Sequence, residues 1–433
     1  MTRGRKRSAT LAVAVMALGA GSAHAARFDY TVDLGIERND NLNLSPTDPI
    51  EETIYRPAVG FSLTEDSDTL HANVAGRIEY RHYADGTYDS GIDGTLAGIV
   101  EWEAIPERLT FTAEDTVSLE PIDTFEVDSP DNRQQVNVFS IGPTLNFRIG
   151  AALDGQVELR FVDTNAEVTD EFNSSRVDLA LRTIRRLDAT SQVTLNLRGQ
   201  SVDFDDEVTG RNYRRVDLFG SYAKRLHRFE LGADVGFSRI DYTDGNDARS
   251  EPLLRGEVAW IPSDSHRFNL ALSKQFSDAA TDAMARLSDG IAAPGSILTG
   301  DTVINASPYE ERRAQLDYTF TSTVFTTSVE TYADELDYVD SDEFDQEGVG
   351  GRATLLWVIN ERTTAGAFAG VDKITYTQID REDEVRRYGV SLGRTFTPHW
   401  SARLEFSRYE RRTTALDGDA DQNTVFFVFR YTR

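Results

Sequence analysis

Residues 70–81 read Leu70-His71-Ala72-Asn73-Val74-Ala75-Gly76-Arg77-Ile78-Glu79-Tyr80-Arg81. Leu70, Ala72, Val74, Gly76, Ile78 and Tyr80 fall on one parity; His71, Asn73, Ala75, Arg77, Glu79 and Arg81 fall on the other. A period of two sends successive side chains to opposite faces, so this stretch is a strand with one apolar and one charged face. It is about 12 residues long, beyond the five or six usual in soluble strands, and it suits a tilted strand crossing a bilayer, which needs about 9–11.

The same alternation recurs along the chain. Val193, Leu195 and Leu197 interleave with polar residues, as do Phe229, Leu231, Ala233, Val235 and Phe237. Two kinds of connection alternate between the runs. Short ones lie near 65–68, 105–107, 148–154, 185–189, 224–227, 262–265, 321–323, 360–363 and 397–399. Long ones, rich in Asp, Glu, Asn, Gly and Thr, lie near 39–51, 83–90, 118–134, 164–174, 203–212, 241–250, 277–308, 337–347, 378–385 and 410–422. Nine short turns and ten long loops join twenty strands, with both termini on the short-turn side. The expected fold is therefore all-β: a transmembrane antiparallel up-and-down β-barrel of about 20 strands (18–22), with short periplasmic turns and long extracellular loops. The repeat of about forty residues also fits a β-propeller, but a propeller blade holds four short strands rather than two long ones.

Residues 1–25 differ from the rest. Arg3, Arg5, Lys6 and Arg7 precede an apolar run, Ala9 to Ala20, and Ala23-His24-Ala25 supplies small residues for cleavage. This is the pattern of a cleavable secretory signal peptide, too short to span a bilayer as a helix. Residues 26–433 are expected to form one barrel. Removing residues 1–25 takes four basic residues and no acidic one, so the formal charge of −27 becomes −31. That balance disfavours nucleic acid, which needs clustered Lys and Arg. The chain has no Cys, which excludes disulfides, thiolate metal sites and thiol nucleophiles. No later segment reads as a transmembrane helix, which leaves a closed barrel as the spanning solution.

The faces opposite the apolar ones carry mixed charge two residues apart: Arg77/Glu79/Arg81, Glu158/Arg160, Arg176/Asp178/Arg182, Arg215/Asp217, Arg228/Glu230, Arg255/Glu257 and Arg403/Glu405, with Arg198 on a further strand. In a barrel this is the lumen, where opposite charges pair across strands or contact a polar solute. Candidate solute contacts are Arg77, Glu79, Arg81, Arg160, Arg176, Asp178, Arg198, Arg215, Asp217, Arg228, Glu230, Arg255 and Arg403. All four Trp (102, 260, 357, 400) lie beside short turns, as an interfacial girdle requires.

The longest loop, 277–308, contains a helical stretch, Asp278 to Ser288, with Ala279, Met284 and Leu287 on one side. It is expected to fold inward as a constriction. The acidic loops, including Asp203, Asp205, Asp206, Glu207 and Asp417, Asp419, Asp421, lack a full calcium-loop pattern. Neither a His-based metal spacing nor a nucleophile–His–Asp set is present, so no enzyme, cofactor or metal is expected. The last strand, with Val425, Phe427, Phe429 and Tyr431 on one face, matches an assembly signal shifted in from the end.

Three short segments carry a resemblance: Gly35-Ile36-Glu37-Arg38-Asn39-Asp40-Asn41, Glu79-Tyr80-Arg81-His82-Tyr83 and Thr397-Pro398-His399-Trp400-Ser401. In their order along a barrel they resemble outer-membrane β-barrel proteins of exopolysaccharide and exosortase (PEP-CTERM) loci, grouped as β-barrel porins. The resemblance covers nearly the whole chain after residue 25. It implies a role in polysaccharide export and transfers no ligand residue. The expected function is a passive porin-like channel of the Gram-negative bacterial outer membrane that passes a secreted polysaccharide. The competing expectation is a structural or assembly component with a closed barrel. Expected partners are outer-membrane lipid and lipopolysaccharide, the barrel-assembly machinery, and polysaccharide with its secretion components.

Overall fold

The computed structural model describes residues 26–206, 211–243, 248–285, 291–292, 294–300, 303–340, 342–415 and 418–433. The signal peptide, residues 286–288 of the helix expected over 278–288, and Glu207 and Asp417 lie outside these residues.

The first five strands are β1 (Arg27–Asn39), β2 (Glu52–Asp66), β3 (Leu70–Tyr83), β4 (Gly91–Ile105) and β5 (Leu109–Glu120). They continue as β6 (Gln134–Ile149), β7 (Leu153–Ala166), β8 (Ser174–Arg186), β9 (Ser191–Phe204) and β10 (Tyr213–Arg225). Then come β11 (Phe229–Tyr242), β12 (Arg249–Ser263), β13 (His266–Ser277), β14 (Tyr309–Thr321) and β15 (Phe325–Tyr338). The last are β16 (Gln346–Asn360), β17 (Thr363–Tyr376), β18 (Arg381–Thr395), β19 (Trp400–Thr413) and β20 (Ala420–Thr432). Among the described residues one α-helix, α1 (Ala279–Ala285), follows β13.

Every strand pairs antiparallel with its sequence neighbours, and β1 pairs with β20 from Thr31↔Thr432 to Asn39↔Thr424. The sheet therefore closes into a twenty-stranded barrel with no free edge, which satisfies every ladder hydrogen bond internally. No helix among the described residues is long and apolar enough to cross a membrane.

Alternation assigns the two faces. Val235 and Phe237 on β11 are 63% and 71% exposed and point outward with Leu34, Leu195 and Val390. An apolar exterior of this extent is stable only against lipid. The tryptophans mark its lower border. Each stacks on a ring across the strand pair: Trp102 on Phe111, Trp260 on Phe229 and Phe268, Trp357 on Phe325, Trp400 on Phe429. All lie beside short turns, as the sequence pattern requires. Val235→Arg should cost about 2–4 kcal/mol, because a cation at mid-depth on the lipid face has no water to enter. Urea unfolding in lipid vesicles measures this, with the lumen-facing neighbour change Asp234→Asn as the small-effect control.

The strands run from 12 residues (β5, β13) to 16 (β6). Their upper ends carry outward ion pairs instead of apolar residues: Lys373–Glu382 (2.9 Å), Arg386–Glu384 (2.5 Å), Arg408–Glu410 (2.6 Å) and Arg412–Asp421 (2.8 Å). These pairs correct one expectation. The charge-rich stretch near 378–385 is not a long loop; β17 ends at Tyr376 and β18 begins at Arg381. Carboxylates at 382–384 stay in the strand because each parity finds an arginine or lysine, Asp383 pairing inward with Arg381 and Arg411.

Candidate functional site: a charged lumen under inward loops

The inner face is charged along much of its length. Its densest part sits at the seam where the barrel closes. Asp33 (β1) accepts from Arg77 (β3) at 2.5 Å and from Arg430 (β20) at 2.7 Å. Glu79 accepts from Arg56 at 2.6 Å, Arg77 at 3.3 Å and Arg81 at 3.2 Å. Arg56 also reaches Glu37, and Arg81 reaches Asp93 at 3.0 Å. Four arginines and four carboxylates thus neutralise one another. Arg77 and Glu79 are fully buried.

The other candidate contacts form smaller groups. Arg198 pairs with Asp178 at 3.3 Å, and Arg215 with Asp217 at 2.9 Å. Arg160 lies 3.8 Å from Glu158, Arg255 is 2.9 Å from Asp234, and Glu230 accepts from Arg225 and Arg267. Arg403 pairs with Glu405. Arg228 has no ion-pair partner among the described residues. It lies in the short turn before β11 and is exposed, because the strand begins one residue later than the alternation suggests. Most of these groups therefore complete one another across the wall. Arg77, Glu79, Arg81, Arg176, Arg215 and Asp217 are buried, the positions at which a solute has least access.

Burial comes from loops that turn inward from the long-loop end. The 278–308 loop starts with α1, whose Ala279, Ala280 and Ala283 are buried against Val136, Val138, Ala166 and Phe172, with Met284 beside them. Described residues further along the loop also meet the inner wall. Ile297 is fully buried and its carbonyl accepts from Arg81 at 2.7 Å; the Gly300 N–H donates to Leu119 O at 2.6 Å. The described parts of this loop, α1, Ile297 and Gly300, thus lie against the inner wall.

A second inward loop was not visible in the sequence pattern. Residues 121–133 leave β5 and reach the far wall, where Arg381 donates to the Phe125 carbonyl at 2.6 Å and Arg411 at 3.3 Å. Phe125 also stacks on Phe344 and meets Tyr376 edge-on. The available signal was on the strands that receive the loops. Near their upper ends the inner parity turns apolar, at Val136 and Val138, Val202 and Phe204, Ile240 and Tyr242. A strand apolar on both faces packs on both sides.

The anchor of α1 is Asp278. Its carboxylate pairs with Arg176 at 2.6 Å, accepts from Tyr213 at 3.3 Å and caps the helix by accepting from the Thr281 N–H at 3.0 Å. Burial alone would raise its pKa, but Arg176, the Thr281 N–H and Arg215 outweigh burial and hold it down at about 2. Asp282, one turn on, behaves oppositely. Burial pushes it up to about 6, with Glu311 and Asp278 adding repulsion, against hydrogen bonds from Tyr309 and Ser277.

The two shifts predict a pH response. Asp282 favours the docked loop in its protonated form. That stabilisation is full below its ordinary value of 3.8 and is lost as pH rises through about 6. Between those values, release of the loop should rise about tenfold per pH unit. Proteolytic nicking of the 278–308 segment from pH 4 to pH 7 measures it, and Asp282→Asn should flatten the profile. Asp278, held low, contributes in full above its ordinary value of 3.8 and loses its part as pH falls through about 2.

Toward the short-turn end the inner wall is exposed on β16. On β16 the inner positions Arg352, Thr354, Leu356 and Val358 are exposed. Among the described residues no group of three or more His, Asp or Glu gathers as a metal site.

No protein-family model matches the chain, and no curated relative matches it. Solved structures similar to it are outer-membrane proteins. The siderophore receptor PirA from Pseudomonas aeruginosa is 9% identical with a TM-score of 0.44, over 95% of this chain and 81% of that one. The outer membrane protein opdK from the same species is 9% identical with a TM-score of 0.39, over 94% and 99%. The iron transporter FrpB from Neisseria meningitidis is 9% identical with a TM-score of 0.47, over 94% and 82%. None reaches 0.5, and no residue role passes from them to this chain. The chain's own closure, apolar exterior and aromatic border decide its place. It is a bacterial outer-membrane β-barrel.

Proposed function

We propose that this barrel is a passive, porin-like channel for an acidic polysaccharide or its fragments, with its outer mouth narrowed by the 121–133 and 278–308 loops. The observation that carries the channel reading is the polar, water-exposed inner wall below those loops in a closed barrel of twenty strands. Barrels of 16–18 strands already enclose an aqueous channel, and diameter grows with strand number. The polysaccharide part follows the resemblance to barrels of exopolysaccharide loci and the arginines along the lumen.

Single-channel recording in planar bilayers tests the reading. The expected result is steady ohmic conductance that increases when residues 286–302 are replaced by a short Gly-Ser linker. Absence of current from both proteins, each verified as folded by heat-modifiable gel mobility, would overturn the channel reading. One observation favours a second reading, a closed structural barrel: the two loops are bound to opposite walls by charged and carbonyl contacts and bury the upper lumen.

A further inference from the structure

The wall formed by β16, β17 and β18 differs from the rest of the lumen. Inner positions there are glycine: Gly348 and Gly350, Gly366 and Gly370, Gly389 and Gly393. Neighbouring side chains lie flat over several of them. A Cβ on Gly350 would meet the Tyr332 ring at 2.7 Å, and one on Gly389 would meet the Phe368 ring at 2.7 Å. Tyr332 is held in that pose by its hydroxyl, which donates to Asp372 at 2.8 Å across the intervening strand. Aromatic faces are thereby laid along the wall instead of projecting into the lumen.

Gly370 is different. A Cβ there would find nothing nearer than 3.6 Å, and the nearest atom is backbone. Register places Arg352 directly beside it on β16 and Arg387 directly beside it on β18. The two guanidinium-bearing residues thus flank a bare floor, two strand spacings or about 10 Å apart at the backbone. Arg352 has no ion-pair partner among the described residues, although Glu330 is its cross-strand neighbour. Arg387 lies over the Tyr409 ring at 5.2 Å. Its nearest carboxylate is Asp128 of the inward 121–133 loop, at 4.0 Å and itself held by Arg133 at 3.0 Å.

We infer that Arg352 and Arg387, flanking Gly370 with Tyr332, Phe368 and Tyr409 around them, form a binding site for a carboxylate-bearing sugar unit of an acidic glycan. A guanidinium matches a carboxylate with two parallel hydrogen bonds, and the apolar face of a pyranose covers an aromatic ring and removes both from water. Gly370 supplies the depth the ring needs. Asp128 marks the place from the protein side, since its loop already presents a carboxylate to Arg387. The inference rests on the channel reading for how a glycan reaches the site, and the test separates the two.

Trigalacturonate and maltotriose serve as acidic and neutral probes, each added to wild type, R352Q/R387Q and G370L. The Gly370 backbone has room for a Cβ, so G370L fills the depression without disturbing the wall. In bilayers, trigalacturonate should interrupt the wild-type current with a residence time at least about tenfold longer than in either variant, and maltotriose should not distinguish the proteins. Calorimetric titration of detergent-solubilised protein gives the same comparison without current, so a silent channel overturns the channel reading alone. Equal affinity of all three proteins for trigalacturonate, or equal binding of both probes, overturns the site. D128N should strengthen trigalacturonate binding, and weaker binding would count against the site.

Discussion

Replacing Asp278 with alanine is expected to free the long inward loop and raise channel conductance. The carboxylate does three jobs at once: it pairs with Arg176, accepts from Tyr213 and caps α1. All three partners are lost together, and Arg176, itself buried, is left without its ion-pair partner. Removing one member of a buried pair costs about 3–5 kcal/mol, set against the packing of three alanines, Met284 and Ile304 on the wall. The change acts on docking and not on the barrel, so heat-modifiable mobility should stay as in wild type while the loop becomes sensitive to protease. The double variant D278A/R176M should recover part of the loss, because it removes the orphaned cation. If D278A leaves nicking and current unchanged, the loop is held elsewhere, and the Arg81–Ile297 contact is the place to look.

Arg77→Met is expected to destabilise the barrel itself by about 3–5 kcal/mol. Arg77 is 1% exposed, bonded to Asp33 and Glu79, which are both fully buried. The methionine fits the space but leaves two carboxylates facing each other with one fewer cation in a group that was balanced four to four. The loss falls at the join of the first and last strands, where Arg430 reaches Asp33 from β20. Closure should therefore weaken before any other part of the wall. Lower temperature for conversion of the compact gel form measures this, and the effect should persist in high salt because the pair is shielded from it. Removing charge in a balanced way, as R77M/D33N, should cost less than the sum of the single changes.

Much of this was legible in the residues. The alternation at 70–81 gives strand, face and length together, and repetition of that pattern with two classes of connection gives the twenty strands. The contrast of short and long connections also gives which way the barrel sits, and the tryptophans beside short turns mark one border of its apolar band. Charge was the misleading signal. Near 378–385 it suggested a loop, yet cross-strand pairing keeps those residues in β18. On the inner wall it left cross-strand pairing and solute contact both open, and Arg77 and Glu79 are paired, with Asp33, Arg56 and Arg81 around them. Pairing depends on register between strands far apart in sequence, as with Asp33 and Arg430, and a one-dimensional pattern does not contain it. The 121–133 loop escaped for a related reason: its docking partners, Arg381 and Arg411, belong to the last third of the chain. The glycine strip of β16–β18 was present in the sequence, but its meaning needs the three strands side by side.

The ion pairs at the upper ends of the strands also set what an outside observer meets. A bilayer uses about 9–11 residues of a tilted strand, and these strands have 12 to 16. The surplus of a few residues lifts hydrogen-bonded wall roughly 10 Å clear of the lipid. The exposed crown is thus built from stiff ladders locked by arginine and carboxylate, with short connections such as 377–380 between them. An antibody or phage tail fibre approaching that side would find a fixed shape, one that sequence drift in the loops alone does not erase.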